Sequence, residues 1–201
     1  MENRKTLTLI ALALSCVRLL AIIISALGML LLGNDLVTKV SNVLYQTGTI
    51  IHIAIILFIA YALSLIKESI WRSMAFVFFA FMSTVFLMLG LLKLTDTKII
   101  SSIAALNLFV ITFFVVQLYL ISNNFFKGAF KIYGVVMVLM VIVNAAIPFV
   151  AYKLALPQST LRYTAFLYLL PAAVELYIVF LFNRYFNSPT LHQHNDFTND
   201  L

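Results

Sequence analysis

Apolar residues come in long unbroken runs, and polar residues are confined to short breaks between them. Six runs stand out, at 7–32, 50–66, 70–92, 99–121, 130–152 and 161–182. About twenty apolar residues in helical form cross the roughly 30 Å hydrocarbon core of a bilayer. A membrane β-strand would instead alternate apolar and polar positions over about ten residues, and these runs do not alternate. The pattern predicts six transmembrane helices and an all-α fold.

The breaks set the connectivity. "GNDLVTKVSN" is the longest and "KES" is a tight turn. "KLTDTK", "SNNFFKG" and "KLALPQST" separate the later runs. Connections this short make consecutive helices antiparallel neighbours, so the expected architecture is a bundle of three successive hairpins. Residues 1–186 form that one transmembrane unit, and 187–201, "NSPTLHQHNDFTNDL", are expected to be a disordered polar tail. Tyr61, Tyr119 and Tyr177 recur at equal intervals, as three repeated hairpins would require. With nine tyrosines in the chain, hairpins of similar length also produce this spacing by coincidence.

Composition agrees with the pattern. Of 201 residues, 64% are apolar and 10% are charged, with a mean hydropathy of +1.09. A soluble domain carries about a quarter charged residues, so this chain could not cover itself in water. The net charge of +6 does not point to nucleic acid, because the basic residues are scattered between the runs. They read as topology signals and headgroup contacts. Six crossings put both termini on one side, with Arg4, Lys5, Lys67, Arg72, Lys127, Lys131 and Arg184. Lys39, Lys93, Lys98, Lys153 and Arg162 fall on the other side. The excess favours cytoplasmic termini in a multi-pass protein of the cell (inner) membrane. The single cysteine, Cys16, follows "ALS" as in a lipoprotein cleavage box. "VRLLAIII" continues the same helix, so neither cleavage nor lipidation is expected there.

Within the runs, the polar residues are Arg18, His52, Asn107, Gln117, Asn144 and Glu175, with Ser83 and Thr84. A rise of about 1.5 Å per residue puts Arg18 roughly 18 Å, and Glu175 roughly 13 Å, from the side of the termini. Asn144, Ser83 and Thr84 also fall near mid-membrane, and His52 and Asn107 somewhat closer to the opposite face. This suggests a polar layer inside the bundle. An unpaired charge at the bilayer centre costs about 2.5–3.5 kcal/mol even on lenient scales, so Arg18 and Glu175 are expected to pair. The pair reads either as a structural clasp between the first and last helices or as part of a charged pocket.

Pro171 would free a carbonyl one turn earlier, at Leu167, and Tyr168, Pro171 and Glu175 share a helix face. Pro148, four residues after Asn144, repeats the device. His52 shares a face with Tyr45 and Thr49 and suits a hydrogen bond to a neighbouring helix, a proton relay, a quinone contact or ligation of a metal. The candidate ligand-binding or ion-pair residues are therefore Arg18, Glu175, His52, Asn107, Asn144 and Tyr168. No metal-ligand cluster, nucleophile motif, phosphate loop or paired-carboxylate motif is present, and no cofactor or metal is expected. His192 and His194, in "HQH", lie in the polar tail.

"LYLISNNFFKGAFKIYGVVMVLMVIVNAA" and "LPAAVELYIVFLF" resemble the domain of unknown function 4386 family of bacterial multi-pass membrane proteins. "RKTLTLIALAL" and "IAYALSLIKESIWRSMAFVFFAF" fit the same layout. Glu175 follows Pro171 by four residues where the family pattern has five, and the family's terminal Lys-Gly is missing. The resemblance implies a fold, with no activity or site residues.

The leading expectation is an integral membrane protein that binds or transports a small polar or amphipathic solute near Arg18 and Glu175. An intramembrane enzyme acting on lipid or quinone, and a non-catalytic accessory membrane subunit, remain alternatives. Expected partners are membrane lipids and that solute, with no nucleic acid. A homo-oligomer is compatible with the chain.

Overall fold

The computed structural model describes residues 2–31, 35–92, 96–154 and 166–188. Six helices account for nearly all of them: α1 (Glu2–Leu31), α2 (Asp35–Leu65), α3 (Ile70–Leu92), α4 (Thr97–Tyr119), α5 (Asn124–Lys153) and α6 (Leu169–Asn187). A 3-10 turn over 166–168 leads into α6, and no strand occurs among the described residues. All six helices are long and apolar enough to cross a membrane. The chain is a multi-pass membrane protein with an all-α six-helix bundle.

Local chemistry sets the helix ends. Asp96 caps α4 by accepting hydrogen bonds from the backbone N–H groups of Lys98 and Ile99, which satisfies two otherwise unpaired donors. At the end of α2 the chain turns through Lys67 in the left-handed region, at φ 58°. The Glu68 N–H donates to the Leu63 carbonyl at 3.1 Å and the Lys67 N–H to the Ser64 carbonyl at 3.3 Å. That is a Schellman cap with lysine where glycine is usual. Asn123 precedes α5, and its side-chain oxygen accepts from the Phe125 N–H at 3.0 Å.

Several boundaries differ from the sequence pattern, beginning with α1, which already starts at Glu2 rather than 7. The stretch "GNDLVTKVSN" is mostly helix, because α2 already begins at Asp35. Its Leu36, Val40 and Val43 keep helical spacing, and no glycine or proline follows Asp35 until Gly48. Helix α5 starts at Asn124 rather than 130, because the Asn123 cap and the buried Phe126 and Ala129 carry the helical face backwards. Helix α6 runs on to Asn187, because Phe182 and Tyr185 are both buried. Residues 93–95, 161–165 and most of "KLALPQST", with Lys93 and Arg162, lie outside the described residues. So does the polar tail from 189 onward, with His192 and His194.

The helices form a closed ring. Each packs on its sequence neighbour, as three successive antiparallel hairpins require, and α6 packs on α1 to complete the circle. Helix α2 also touches α6 across the middle. With lipid on the outside, such packing is held by close van der Waals fit and interhelical hydrogen bonds rather than by expulsion of water. The half nearer the termini is filled by buried aromatics, including Phe76, Phe114, Phe126, Phe130 and Phe182. Phe79 stacks on Phe114 with centroids 4.5 Å apart, and Phe126 on Phe182 at 4.4 Å. Large apolar side chains such as Phe81 and Phe109 point outward. Tyr61, Tyr119 and Tyr177 are exposed on the same outer surface.

Candidate functional site

The half of the bundle farther from the termini encloses a cavity of about 770 Å³, lined by residues of all six helices. Arg18, His52, Phe79, Met137 and Glu175 form its floor, where the aromatic packing ends. Ser25, Tyr45, Thr49, Ser83, Asn107, Asn144 and Tyr168 supply polar groups along its walls, among many apolar ones. All six residues singled out from the sequence, Arg18, His52, Asn107, Asn144, Tyr168 and Glu175, line this one space. Gln117 does not, since it sits in the last turn of α4.

The floor is organised around Glu175, whose carboxylate is fully buried. Oε1 accepts a hydrogen bond from the Tyr133 hydroxyl at 2.6 Å. Oε2 accepts one from Nη1 of Arg18 and lies 3.2 Å from Nδ1 of His52. An ionised carboxylate only accepts hydrogen bonds, so Nδ1 of His52 carries the proton in that contact. In a neutral imidazole this leaves the Nε2 lone pair free. The side chains of Arg18 and His52 keep 11% and 13% exposure, against 1% for Glu175. Thus α1, α2, α5 and α6 each send one side chain to a single buried point. Glu175 sits behind, and Arg18 and His52 stand between it and the open space.

His52 was expected closer to the opposite face than Glu175, yet the two touch. The extra length of α6 explains this. Helix α6 runs on to Asn187, which puts Glu175 about 18 Å from its end, close to the roughly 20 Å of His52 from the end of α2. Pro171 also differs from expectation. It lies in the first turn of α6, just after the 3-10 turn, where an N–H would have no helical partner. It marks a helix start beside the cavity and does not kink a helix interior. Helix α5 continues through Pro148 to Lys153.

Ser83 and Thr84 return their hydroxyls to the carbonyls of Phe79 and Ala80, at 3.0 and 2.9 Å. Asn144 and Tyr168 both line the cavity wall. Along the closing seam, Thr8 of α1 meets Asn183 of α6 at 3.1 Å.

Two groups escaped the sequence reading. Tyr133 was one tyrosine among nine, unmarked by any motif. Its signal was the face it shares with Phe126, Phe130 and Met137, because a tyrosine on a buried face needs a partner for its hydroxyl. The apolar run from 130 onward leaves out Phe126, and without it that face is not readable. The second is Glu68 in "KES", whose carboxylate is also buried and whose partners come from a distant turn. Among the described residues, no group of three or more histidine, cysteine or carboxylate side chains could hold a metal ion.

Comparison with family models, curated proteins and solved structures returns no match. The function has to be read from the site itself.

Proposed function

We propose that this membrane protein binds a small polar or amphipathic solute in its central cavity and passes it toward the side of the membrane away from the termini. The observation that carries the reading is the coincidence of three features. A space of about 770 Å³ lies inside the ring, a charged cluster forms its floor, and two members of that cluster keep part of their surface toward it. Cavities of 300–1,000 Å³ with mostly apolar walls and a few convergent polar groups are the usual form of small-molecule sites. Ionisable groups at mid-membrane face such spaces or each other. The excess of basic residues beside the termini supports their cytoplasmic location, which turns the cavity toward the outer side. Reporter fusions at Asn187 and in the 93–95 connection test that orientation. A cytoplasmic signal from the connection together with an external one from Asn187 would reverse it.

Thiol labelling tests the cavity. In a Cys16→Ala background, Ser83→Cys on the cavity wall should react with a small polar thiol reagent added outside intact cells. Phe130→Cys, in the packed half, should stay unreactive. Complete protection of both positions, in cells and in detergent, would remove the solute-binding reading and favour the accessory-subunit alternative. That alternative draws its support from the Glu175 carboxylate, which already accepts hydrogen bonds from three side chains.

A further inference from the structure

The floor of the cavity is balanced in charge and unbalanced in hydrogen bonding. Arg18 and Glu175 cancel one another. A protonated His52 would add a second positive charge with no acid to meet it, so the ring is taken as neutral. Tyr45 and Tyr168 are the only other titratable groups among the described lining residues. A solute with a net charge would therefore carry it uncompensated into a low-dielectric space, which costs several kcal/mol.

The hydrogen-bond inventory reads differently. A guanidinium has five N–H donors, and Arg18 gives one to Glu175. Arg18 and His52 both line the cavity, and both side chains keep part of their surface exposed. Both side chains converge on the same oxygen, Oε2 of Glu175. A surplus donor and a surplus acceptor therefore stand side by side at the floor. Above them the walls are largely apolar, with Ile22, Phe86, Ile111 and Met140. Methionine there can adapt to irregular shapes.

We propose that the cavity is built for an uncharged amphipathic molecule whose head offers an acceptor to Arg18 and a donor to Nε2 of His52. This rests on the solute-binding reading and narrows it to a chemical class, of which a primary carboxamide on an apolar body is the simplest member. A neutral head makes both hydrogen bonds and leaves the Arg18–Glu175 balance intact. An anion or a cation upsets the balance, and an ester satisfies Arg18 alone.

The test uses the full chain in lipid nanodiscs at mildly alkaline pH and four probes of one shape. These are para-butylbenzamide, its methyl benzoate ester, para-butylbenzoate and para-butylbenzylammonium. Equilibrium dialysis against empty nanodiscs subtracts partition into lipid. The amide should bind about tenfold more tightly than the ester, the worth of one hydrogen bond to a group otherwise left unpaired. It should exceed both ions by at least about as much. His52→Phe should bring the amide down to the level of the ester. Tightest binding by the benzoate or the ammonium would overturn the proposal while leaving the solute-binding reading in place. Equal binding of amide and ester would do the same. If none of the four exceeds empty nanodiscs, both fail. The probe series on the unaltered protein decides the matter even where His52→Phe does not fold.

Discussion

Two buried carboxylates with arginine partners sit in this bundle, and they are put to different ends. Glu68 lies at the end of α2 near the side of the termini. Its Oε1 accepts from the backbone N–H groups of Ser122 and Asn123 at 3.1 and 2.7 Å. The Ser122 hydroxyl approaches both carboxylate oxygens, and Arg72 pairs with Oε2 while donating to that hydroxyl at 2.9 Å. The carboxylate also faces the positive end of the α5 dipole. The contacts of Glu68 with Ser122 and Asn123 tie the α2–α3 turn to the α4–α5 turn, and Glu68 is not among the residues lining the cavity. Glu175 uses only side chains, drawn from three other helices, and two of them line the cavity and stay partly exposed. Burial and pairing alone therefore do not mark a site. Spare hydrogen-bonding capacity beside a cavity does.

The largest way to break this contrast is to remove one charge from each cluster. Arg18→Met strands Glu175 at mid-membrane, and losing one partner of a buried pair costs about 3–5 kcal/mol. Thermal unfolding in detergent should show that drop, and adding Glu175→Gln should recover part of it. Strictly additive losses would mean that the two residues do not work as a pair. Tyr133→Phe removes one hydrogen bond to a buried carboxylate and should cost about 1.5–3 kcal/mol in the same measurement. A smaller loss would show that the remaining two partners suffice.

Glu68→Gln should cost less, about 1–2 kcal/mol, because glutamine keeps an acceptor for the turn and the partly exposed Arg72 can rehydrate. Salt sharpens the comparison. The interaction near the surface should weaken as ionic strength rises, whereas the effect of Arg18→Met should not change. Solute binding should be unaltered in Glu68→Gln. A loss of binding there, with the fold intact, would erase the distinction between clasp and site.

The legible part of the molecule was whatever depends on runs and on rarity. Long apolar runs gave six helices, and the scarcity of charge inside them singled out Arg18, Glu175 and His52. Hydrogen-bond partners of common type were not legible. Tyr133 belongs to a frequent residue class, and Glu68 lies in a turn where any charge is unremarkable. Helix phase and length decide such partners, and those depend on caps such as Asn123 and on how far α6 runs past its apolar stretch. The extra residues of α6 beyond its apolar run put Glu175 about 5 Å deeper than the run alone implies, level with the histidine it touches.

The smallest expected effect concerns the turn that carries Glu68. Lys67 holds the left-handed conformation that closes α2, with φ 58° and both Schellman hydrogen bonds in place. A side chain in that region costs roughly 1–2 kcal/mol relative to glycine. Glycine in turn loses more backbone entropy on folding, which offsets part of the gain. Lys67→Gly should therefore stabilise the protein by about 0.5–1 kcal/mol, and Lys67→Val, stiff at Cβ, should destabilise it by about as much. Both are read as shifts of the unfolding midpoint in detergent. Since Lys67 is exposed and far from the cavity, neither change should alter solute binding. If Lys67→Gly destabilised instead, the lysine would be holding the turn by contacts of its own, and Glu68 would owe its position to more than the cap.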